Sequence, residues 1–166
     1  MLGHSFANYF ISLLALLGFA LAAEVYRKDD RAPAAVKRDG GLNSYNPHGD
    51  GSVIEHVKNT LGKDDPWVST TTDYNIAKRG AQAPHDIYVY YIDTSGLDTV
   101  DTIQAFKDAN EEHPHPGEKE IAVKGSIPWE NIIQWDTVRR NKVVATMTRQ
   151  EYDNQRGGRK ARSFAA

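Results

Sequence analysis

The sequence predicts an α+β fold, and three observations support this prediction. Short apolar or alternating segments that are typical of strands recur along the chain. Segments with helical signals lie mostly in the N-terminal half. Strands and helices do not alternate in the regular way of a parallel βαβ sheet. With 166 residues, the chain is long enough for one hydrophobic core and too short for two, so we expect a single α+β domain.

The first half of the chain after residue 23 carries several helix-start and helix-stop signals. Pro33 suits the first position of a helix, and Gly40 and Gly41 suit the cap at its C-terminus. Ser52 or Gly51 is suited to capping a second helix. The predicted elements of this half are a strand (24–27), two helices (33–38 and 53–60), a strand (67–70) and a further helix (73–79).

A run of apolar and aromatic residues, 87–92, is the best candidate for a central strand, because both of its alternating faces are apolar. The remaining predicted elements are a helix (101–110), a strand that Glu120 opens, a turn or one-turn helix (126–131) and two strands (132–138 and 142–147). Residues 150–166 are polar and basic. We therefore expect a folded domain over 24–149 and a disordered tail over 150–166.

The first 23 residues differ from the rest of the chain and predict a secretory signal peptide. Residues 10–21 are nearly all apolar, and small residues at 20–23 offer a cleavage site. The segment departs from the usual pattern because no Lys or Arg precedes the apolar run. A short membrane anchor is the alternative, but the run is shorter than the roughly 20 residues that a spanning helix needs. We expect a secreted protein whose mature chain begins near Ala23 or Glu24 and has no membrane span.

The composition excludes several classes of function. A formal net charge of −2 disfavours non-specific binding to nucleic acid, which requires a basic surplus. The absence of cysteine rules out disulfides and cysteine-based zinc sites. Six histidines leave metal binding open, but no H-x-x-x-H pair falls on a predicted helix. No glycine loop of the Walker or Rossmann kind is present. We expect neither a metal ion nor a nucleic-acid partner.

Two glutamates one residue apart, Glu118 and Glu120, form the first candidate active-site motif. They follow a turn-forming segment rich in Pro and precede an apolar strand. Residues i and i+2 of an extended chain point to the same side, so both carboxylates can face one cleft. A shared site can drive two carboxylates to different pKa values, which acid–base chemistry uses. With eight Glu in the chain, such a triplet arises by chance about 0.4 times, so it needs support from other residues.

Three motifs in a fixed chain order supply that support. Arg27 lies on the first strand, a Ser-Thr-Thr segment (69–71) ends a middle strand, and Glu118-x-Glu120 opens a later strand. This set resembles the signature of arginine-specific mono-ADP-ribosyltransferases. The flanking sequence is similar to the A chains of heat-labile enterotoxin and cholera toxin over roughly residues 24–138. The resemblance implies an ADP-ribosyltransferase fold, in which two packed, mainly antiparallel sheets form a cleft for NAD.

The resemblance also implies different roles for the two glutamates. Glu120 would hydrogen-bond the 2′-hydroxyl of the NAD ribose and stabilise the positive charge that develops as the bond to nicotinamide breaks. Glu118 would orient the guanidinium group of the acceptor arginine and assist the loss of its proton. Such a base is needed because the pKa of arginine is above about 12.

Four further residues receive roles from the resemblance. Arg27 would hold the pyrophosphate and ribose of NAD through its fork of N–H donors. Ser69 would hydrogen-bond Glu120 and fix its rotamer. Thr70 would brace the strands, and His56 corresponds to a histidine on a helix that is placed by the substrate ribose.

Each of these residues also has a purely structural interpretation. Arg27 could form a surface ion pair with Asp29 or Asp30. The Ser-Thr-Thr segment (69–71) could be a strand end and helix cap. For His56, a position on a helix surface remains an equal alternative.

Other chemically distinctive side chains favour structural roles. His113 and His115 could indicate a metal site, but the prolines beside them suit the shaping of a loop. Four large aromatic residues are predicted to be core residues, one of which could stack on nicotinamide; they are Trp67, Tyr91, Trp129 and Trp135.

These observations predict a secreted toxin or effector that transfers ADP-ribose from NAD to an arginine of a host protein. The chain departs from the enterotoxin pattern in having Thr71 as the third residue of its second motif, no cysteine and no visible segment for docking a pentamer. Three alternatives remain: NAD hydrolysis alone, transfer to an acceptor other than arginine, such as a nucleobase, and a non-catalytic binding protein on this scaffold. Glu118 argues against a nucleobase, because related enzymes that modify DNA are expected to carry Gln there.

Overall fold

The structure, a computed structural model, describes residues 23–155. Within this range, nine strands form two antiparallel sheets, and most of the helices lie in the N-terminal half. The predicted α+β class with mainly antiparallel sheets is confirmed. The predicted signal peptide, apart from Ala23, lies outside the described residues, as does the end of the predicted tail (156–166). Between residues 23 and 155, no helix is long and apolar enough to cross a membrane.

The elements follow the predicted order closely. The strands are β1 (Glu24–Asp29), β2 (Gly41–Asn43), β3 (Trp67–Thr71), β4 (Ile87–Asp93), β5 (Thr99–Asp101), β6 (Glu120–Lys124), β7 (Ser126–Pro128), β8 (Ile132–Arg139) and β9 (Lys142–Thr148). The helices are α1 (Pro33–Arg38), α2 (Val53–Val57), α3 (Tyr74–Lys78), α4 (Thr102–Asp108) and a last helical segment, α5, over 149–155. Short 3-10 turns cover Gly62–Asp64, Pro116–Glu118 and Trp129–Asn131.

The larger sheet has seven strands in the order β5-β6-β3-β1-β4-β8-β9, and β2 pairs with β7 in a separate ribbon. β4 lies between β1 and β8, so the run 87–92 is an interior strand, as predicted. β1 pairs with β4 along its whole length, but it meets β3 through a single residue pair, Tyr26 and Thr71. The sheet therefore separates between β1 and β3 beyond that pair, which leaves room for a cleft.

The chain after residue 148 is helical, which corrects the predicted disordered tail for residues 150–155. Thr148 and Glu151 form a reciprocal cap. The Glu151 amide donates to Thr148 Oγ1 (3.2 Å), and the Thr148 amide donates to Glu151 Oε2 (3.0 Å). Tyr152 then packs against the hydrophobic core. Thr148 and Glu151 form a T-x-x-E pattern, which is a helix-start signal, but the basic composition of the segment favoured the prediction of disorder. The folded domain extends at least to residue 155.

Three strands of three residues each, β2, β5 and β7, were not predicted. A strand of this length is too short to show an alternating pattern. A side chain at Gly41 would meet the Ile127 carbonyl oxygen at 2.0 Å, so glycine allows β2 to approach β7. The second helix is shorter than predicted because it ends at Val57 and Asn59 adopts a left-handed conformation (φ 56°).

The main core lies on one face of the central strands and is rich in aromatic residues. Trp135 on β8 is 3% exposed and contacts the rings of Tyr90, Trp129 and Tyr152 at centroid distances of 6.2, 5.8 and 5.3 Å. The three tryptophans that were predicted as core residues are all buried, since Trp67 and Trp129 are only 9% and 5% exposed.

Trp135→Ala is expected to lower the free energy of unfolding by about 3–5 kcal/mol, because it removes buried apolar area and leaves a cavity between three rings. Urea unfolding of the folded protein, followed by circular dichroism, measures this change. Ile133→Ala is the matched control on the same strand, since Ile133 is 41% exposed. A loss for Trp135→Ala no larger than the loss for Ile133→Ala would contradict the position of the core.

Candidate functional site

A cleft with a volume of about 280 Å³ opens where β1 and β3 separate. It brings together five of the six residues that the sequence singled out: Arg27, Ser69, Thr70, Glu118 and Glu120. The rest of its lining is Tyr26, Lys28, Thr71, Ile76 and Ala77. The sixth residue, His56, lies behind Glu120 and not on the cleft wall. Strands β1, β3 and β6 thus supply most of the site, and α3 closes one side of it.

Glu120 is the first residue of β6 and is only 8% exposed. Its partner across the ladder is Thr71, the last residue of β3. Burial alone would raise the pKa of the Glu120 carboxyl group, but hydrogen bonds from His56 and Ser69 outweigh burial and lower this pKa. A nearly buried carboxylate is therefore held ionised at neutral pH, at the point where a developing positive charge could be stabilised.

His56 on α2 links Glu120 to a second carboxylate. Its Nε2 lies 3.2 Å from Glu120 Oε1 and 3.0 Å from Ser69 Oγ, while its Nδ1 lies 2.7 Å from Asp65 Oδ2. Burial alone would lower the pKa of His56, but the hydrogen bonds to Glu120 and Asp65 outweigh burial and raise it. A capping box between Ser52 and Glu55 begins α2 and places His56 one residue beyond it.

Asp65 is a site residue that sequence reasoning missed. It lies in the loop before β3, where its Oδ1 also accepts a hydrogen bond from the Trp67 amide at 2.9 Å. The contact with His56 joins residues nine positions apart, across the end of α2 and a 3-10 turn, so no periodic pattern in the sequence indicated it. Asp65 fixes the orientation of the His56 ring, and the ring in turn supports Glu120.

Arg27 projects from β1 toward the gap beside β3. Its Nη1 donates to the Ser69 carbonyl oxygen at 2.7 Å, and its Nε lies 3.8 Å from Asp29 Oδ2. Burial lowers the pKa of Arg27, and this effect is partly offset by the charge of Asp29. Arg31 binds Asp29 more closely, at 2.8 Å. The ion pair between Arg27 and Asp29, which the sequence analysis gave as an alternative role for Arg27, therefore exists. It is longer than the ion pair between Arg31 and Asp29.

The Nε group of Arg27 is buried and has no hydrogen-bond partner among residues 23–155. Arg27 also lines a second cavity of about 420 Å³ on its other side, together with Arg31, Asn43, Ser44, Tyr45, Trp67 and Val68. The Ser44 hydroxyl group at this cavity is likewise buried and unpartnered within the described chain. Buried polar groups in native proteins are normally hydrogen-bonded, so these two atoms are exceptions within residues 23–155.

β3 fixes the glutamates through two threonine hydroxyl groups. Thr70 Oγ1 donates to the Ile121 carbonyl oxygen at 2.5 Å and joins β3 to β6. Thr71 Oγ1 donates to the Glu118 carbonyl oxygen at 2.8 Å. The second contact was not expected from the sequence, because it depends on the approach of a loop to the end of the strand.

Glu118 lies at the mouth of the cleft and is exposed. The following residue, Lys119, has a left-handed backbone (φ 48°), and its Nζ lies 2.9 Å from Asp73 Oδ2 at the start of α3. These contacts hold the backbone of the loop. The Glu118 carboxylate has no hydrogen-bond or ion-pair partner in the described part of the chain. A free carboxylate therefore faces solvent beside the ionised Glu120.

His56→Ala is expected to raise the pKa of the Glu120 carboxyl group. In the wild type His56 lowers this pKa, so without the ring Glu120 loses its charge at a higher pH. NMR titration of the Glu120 side chain between about pH 3 and 8 measures the change. His48→Ala is the control, because His48 is exposed; an unshifted titration of Glu120 in His56→Ala would contradict the coupling.

Among residues 23–155, no group of three or more His, Asp or Glu side chains could hold a metal ion. The polar side chains that line the cleft include two carboxylates, hydroxyl groups, a lysine and an arginine.

Comparison with known proteins gives a consistent group of relatives. A family model described as Scabin-like matches residues 25–152. The heat-labile enterotoxin A chain of Escherichia coli is 29% identical over 144 residues, which cover 76% of this chain and 54% of that protein. The NAD(+)–arginine ADP-ribosyltransferase Chelt of Vibrio cholerae is 30% identical over 131 residues, which cover 68% of this chain and 21% of that protein. The chain thus spans about half the length of the enterotoxin chain that it matches.

Solved structures show the same similarity. Scabin toxin from Streptomyces scabies in complex with NADH superposes with a TM-score of 0.59 at 26% identity, covering 76% of this chain and 73% of that chain. A guanine-specific ADP-ribosyltransferase superposes with a TM-score of 0.60 at 24% identity, covering 76% of each chain.

Proposed function

The chain belongs to the Scabin-like family of ADP-ribosyltransferase toxins, and on that premise we propose that it transfers ADP-ribose from NAD to an arginine of a host protein. One observation carries the proposal: the free carboxylate of Glu118 lies at the mouth of the cleft that holds the ionised Glu120. An anionic group at the mouth is complementary to a guanidinium group.

The two cavities beside Arg27 suit the two halves of NAD, which is the co-substrate of ADP-ribosyltransferases. The cleft of about 280 Å³ contains Glu120 and would take the nicotinamide ribose. The cavity of about 420 Å³ would take the adenosine end. Arg27 lines both, and its guanidinium group would bind the pyrophosphate between them.

In the proposed reaction, the bond between nicotinamide nitrogen and ribose C1′ breaks, and nicotinamide leaves with the electron pair as a neutral molecule. The ribose carries the positive charge that remains, and the Glu120 carboxylate stabilises it. A guanidinium nitrogen of the acceptor then bonds to C1′, while its proton passes to Glu118. The short distance between the two carboxylates along the chain allows one cleft to serve both steps.

Transfer to guanine is the second candidate, because the family is named after Scabin and a guanine-specific enzyme is among the structures that superpose on this chain. The negative charge of Glu118 favours a cationic acceptor over a neutral base. The net charge of −2 disfavours a polyanionic substrate in the same way.

The two candidates are separated by incubating the protein with labelled NAD and either agmatine, a small arginine analogue, or guanosine. Chromatography with mass spectrometry then identifies the products. ADP-ribosyl-agmatine is the expected product, and an adduct with guanosine alone would favour the second candidate. Nicotinamide release without either adduct would indicate NAD hydrolysis. No cleavage by the folded protein would contradict an enzymatic function.

Secretion is part of the proposal. The apolar segment within residues 1–23 supports it, and the relatives include bacterial enterotoxins. Mass spectrometry of the protein from culture medium is expected to give an N-terminus near Ala23 or Glu24. Retention of the full-length protein in the cells would contradict this part.

A further inference from the structure

The His113 ring lies outside the cleft and makes contacts that define the tautomer of its neutral form. The His115 amide donates to its Nδ1 at 2.9 Å, and its Nε2 lies 2.9 Å from Thr102 Oγ1. Because an amide can only donate, Nδ1 must carry a lone pair, and the ring proton of the neutral form is on Nε2. The ring therefore donates to Thr102. It also packs on the buried ring of Phe106, with 4.6 Å between centroids.

Two chains of hydrogen bonds start at this ring, and each is called an arm. The first arm leads to Glu118. The His115 amide is held by the His113 ring, and the His115 carbonyl oxygen accepts a hydrogen bond from the Glu118 amide at 3.0 Å. His115 is also the residue that begins the Pro116–Glu118 turn. The ring thus fixes the start of the turn that carries Glu118.

A second arm leads from the same ring to Glu120. Thr102 is fully buried at the start of α4, and its Oγ1 donates to the Glu120 carbonyl oxygen at 3.2 Å. Because the Thr102 hydroxyl group donates its hydrogen to the Glu120 carbonyl oxygen, it accepts a hydrogen bond from His113 Nε2–H. The direction of both hydrogen bonds is therefore fixed. A single imidazole ring is therefore connected to the backbones of both cleft glutamates.

We propose that His113 is a positioning residue that sets the spacing between Glu118 and Glu120 and thereby couples NAD cleavage to transfer. The inference rests on the proposed function of the two glutamates. Glu120 is also held by the β3–β6 ladder and by His56. Within residues 23–155, the backbone of Glu118 itself is held by the Thr71 contact and its own turn, and further contacts begin at Lys119. Loss of the ring therefore affects Glu118 more than Glu120, and transfer more than cleavage.

The two arms can be removed separately by substitution. In His113→Asn, the amide oxygen can take the place of Nδ1 and accept from the His115 amide, which retains the arm to Glu118. In His113→Gln, the amide nitrogen can take the place of Nε2 and donate to Thr102, which retains the arm to Glu120. His113→Phe keeps the packing on Phe106 and removes both arms. His115→Ala is the matched control, because the exposed His115 side chain has no partner in the described residues and the variant keeps the backbone amide.

The experiment measures transfer to agmatine and NAD hydrolysis for each variant. His113→Phe is expected to lower the ratio of transfer to hydrolysis about tenfold, which corresponds to the loss of one hydrogen bond. His113→Asn is expected to restore most of the ratio, while His113→Gln is not. His115→Ala should behave as the wild type. Equal losses of both activities in all three His113 variants, or a ratio in His113→Asn no better than in His113→Gln, would overturn the proposal.

Amide hydrogen exchange separates this inference from the proposed function. The amides of His115 and Glu118 are expected to exchange faster in His113→Phe than in the wild type, and slower again in His113→Asn. This readout does not need catalysis, so it tests the positioning role even if the wild type transfers nothing to agmatine. Unchanged exchange at these two amides in His113→Phe would overturn the inference, whatever the enzyme assays give.

Discussion

Glu120→Gln is expected to lower the rate of nicotinamide release from NAD by at least about a hundredfold while the protein stays folded. The substitution removes the negative charge and keeps the size of the side chain. In the wild type, this charge lies on a side chain that is 8% exposed and is held by His56 and Ser69. Because little of the side chain is exposed, solvent can replace only a small part of the lost charge as positive charge develops on the ribose.

Single-turnover release of nicotinamide measures the effect on the bond-breaking step. Glu130→Gln is the matched control, since Glu130 is exposed and its carboxylate has no partner in the described residues. Thermal unfolding of both variants checks the fold. If Glu120→Gln released nicotinamide as fast as Glu130→Gln, Glu120 would not be the group that stabilises the transition state.

The features of this site that could be predicted from sequence are those that a short segment carries by itself. Glu118 and Glu120 were found because they lie two residues apart before an apolar strand. Ser69 and Arg27 were selected as candidate site residues because their order in the chain matched a known family pattern. Strand β4 was recognised because the six residues 87–92 are enough to show that both faces are apolar.

The features that could not be predicted depend on how distant segments approach one another. Asp65 orients His56 across an irregular loop, and Thr71 holds Glu118 across 47 residues of chain. Neither contact leaves a periodic signal, since each depends on where a loop comes to lie. Helix α5 is a different case. Its capping residues, Thr148 and Glu151, could be recognised in the sequence, but the basic composition of the tail led to a prediction of disorder.

The separation of β1 from β3 explains why the site lies where it does. In an uninterrupted ladder, the Ser69 carbonyl oxygen would accept from a backbone amide. Here it accepts from the guanidinium group of Arg27, which places a cation inside the sheet. The gap therefore supplies both the room for a ligand and the positive charge that a pyrophosphate requires. In the proposed function, Arg27 would therefore take part both in the packing of the sheet and in the binding of NAD.

Glu118→Gln is expected to separate transfer from cleavage. It should lower the transfer of ADP-ribose to agmatine about a hundredfold and leave NAD hydrolysis within about threefold of the wild type. Gln cannot accept the proton that the acceptor guanidinium must lose, whereas the charge on Glu120 is unchanged. The geometry of the loop is expected to persist, because Thr71 and His115 contact only the backbone of Glu118.

Both activities are measured on the same preparation, with labelled NAD in the presence and absence of agmatine. Glu112→Gln is the control on the same loop, since Glu112 is exposed and its carboxylate is unpartnered among residues 23–155. Equal losses of transfer and hydrolysis in Glu118→Gln would refute the division of roles between the two glutamates. A gain of transfer to guanosine in the same variant would show that the charge at this one position selects the acceptor, since Gln offers both a donor and an acceptor to a neutral base.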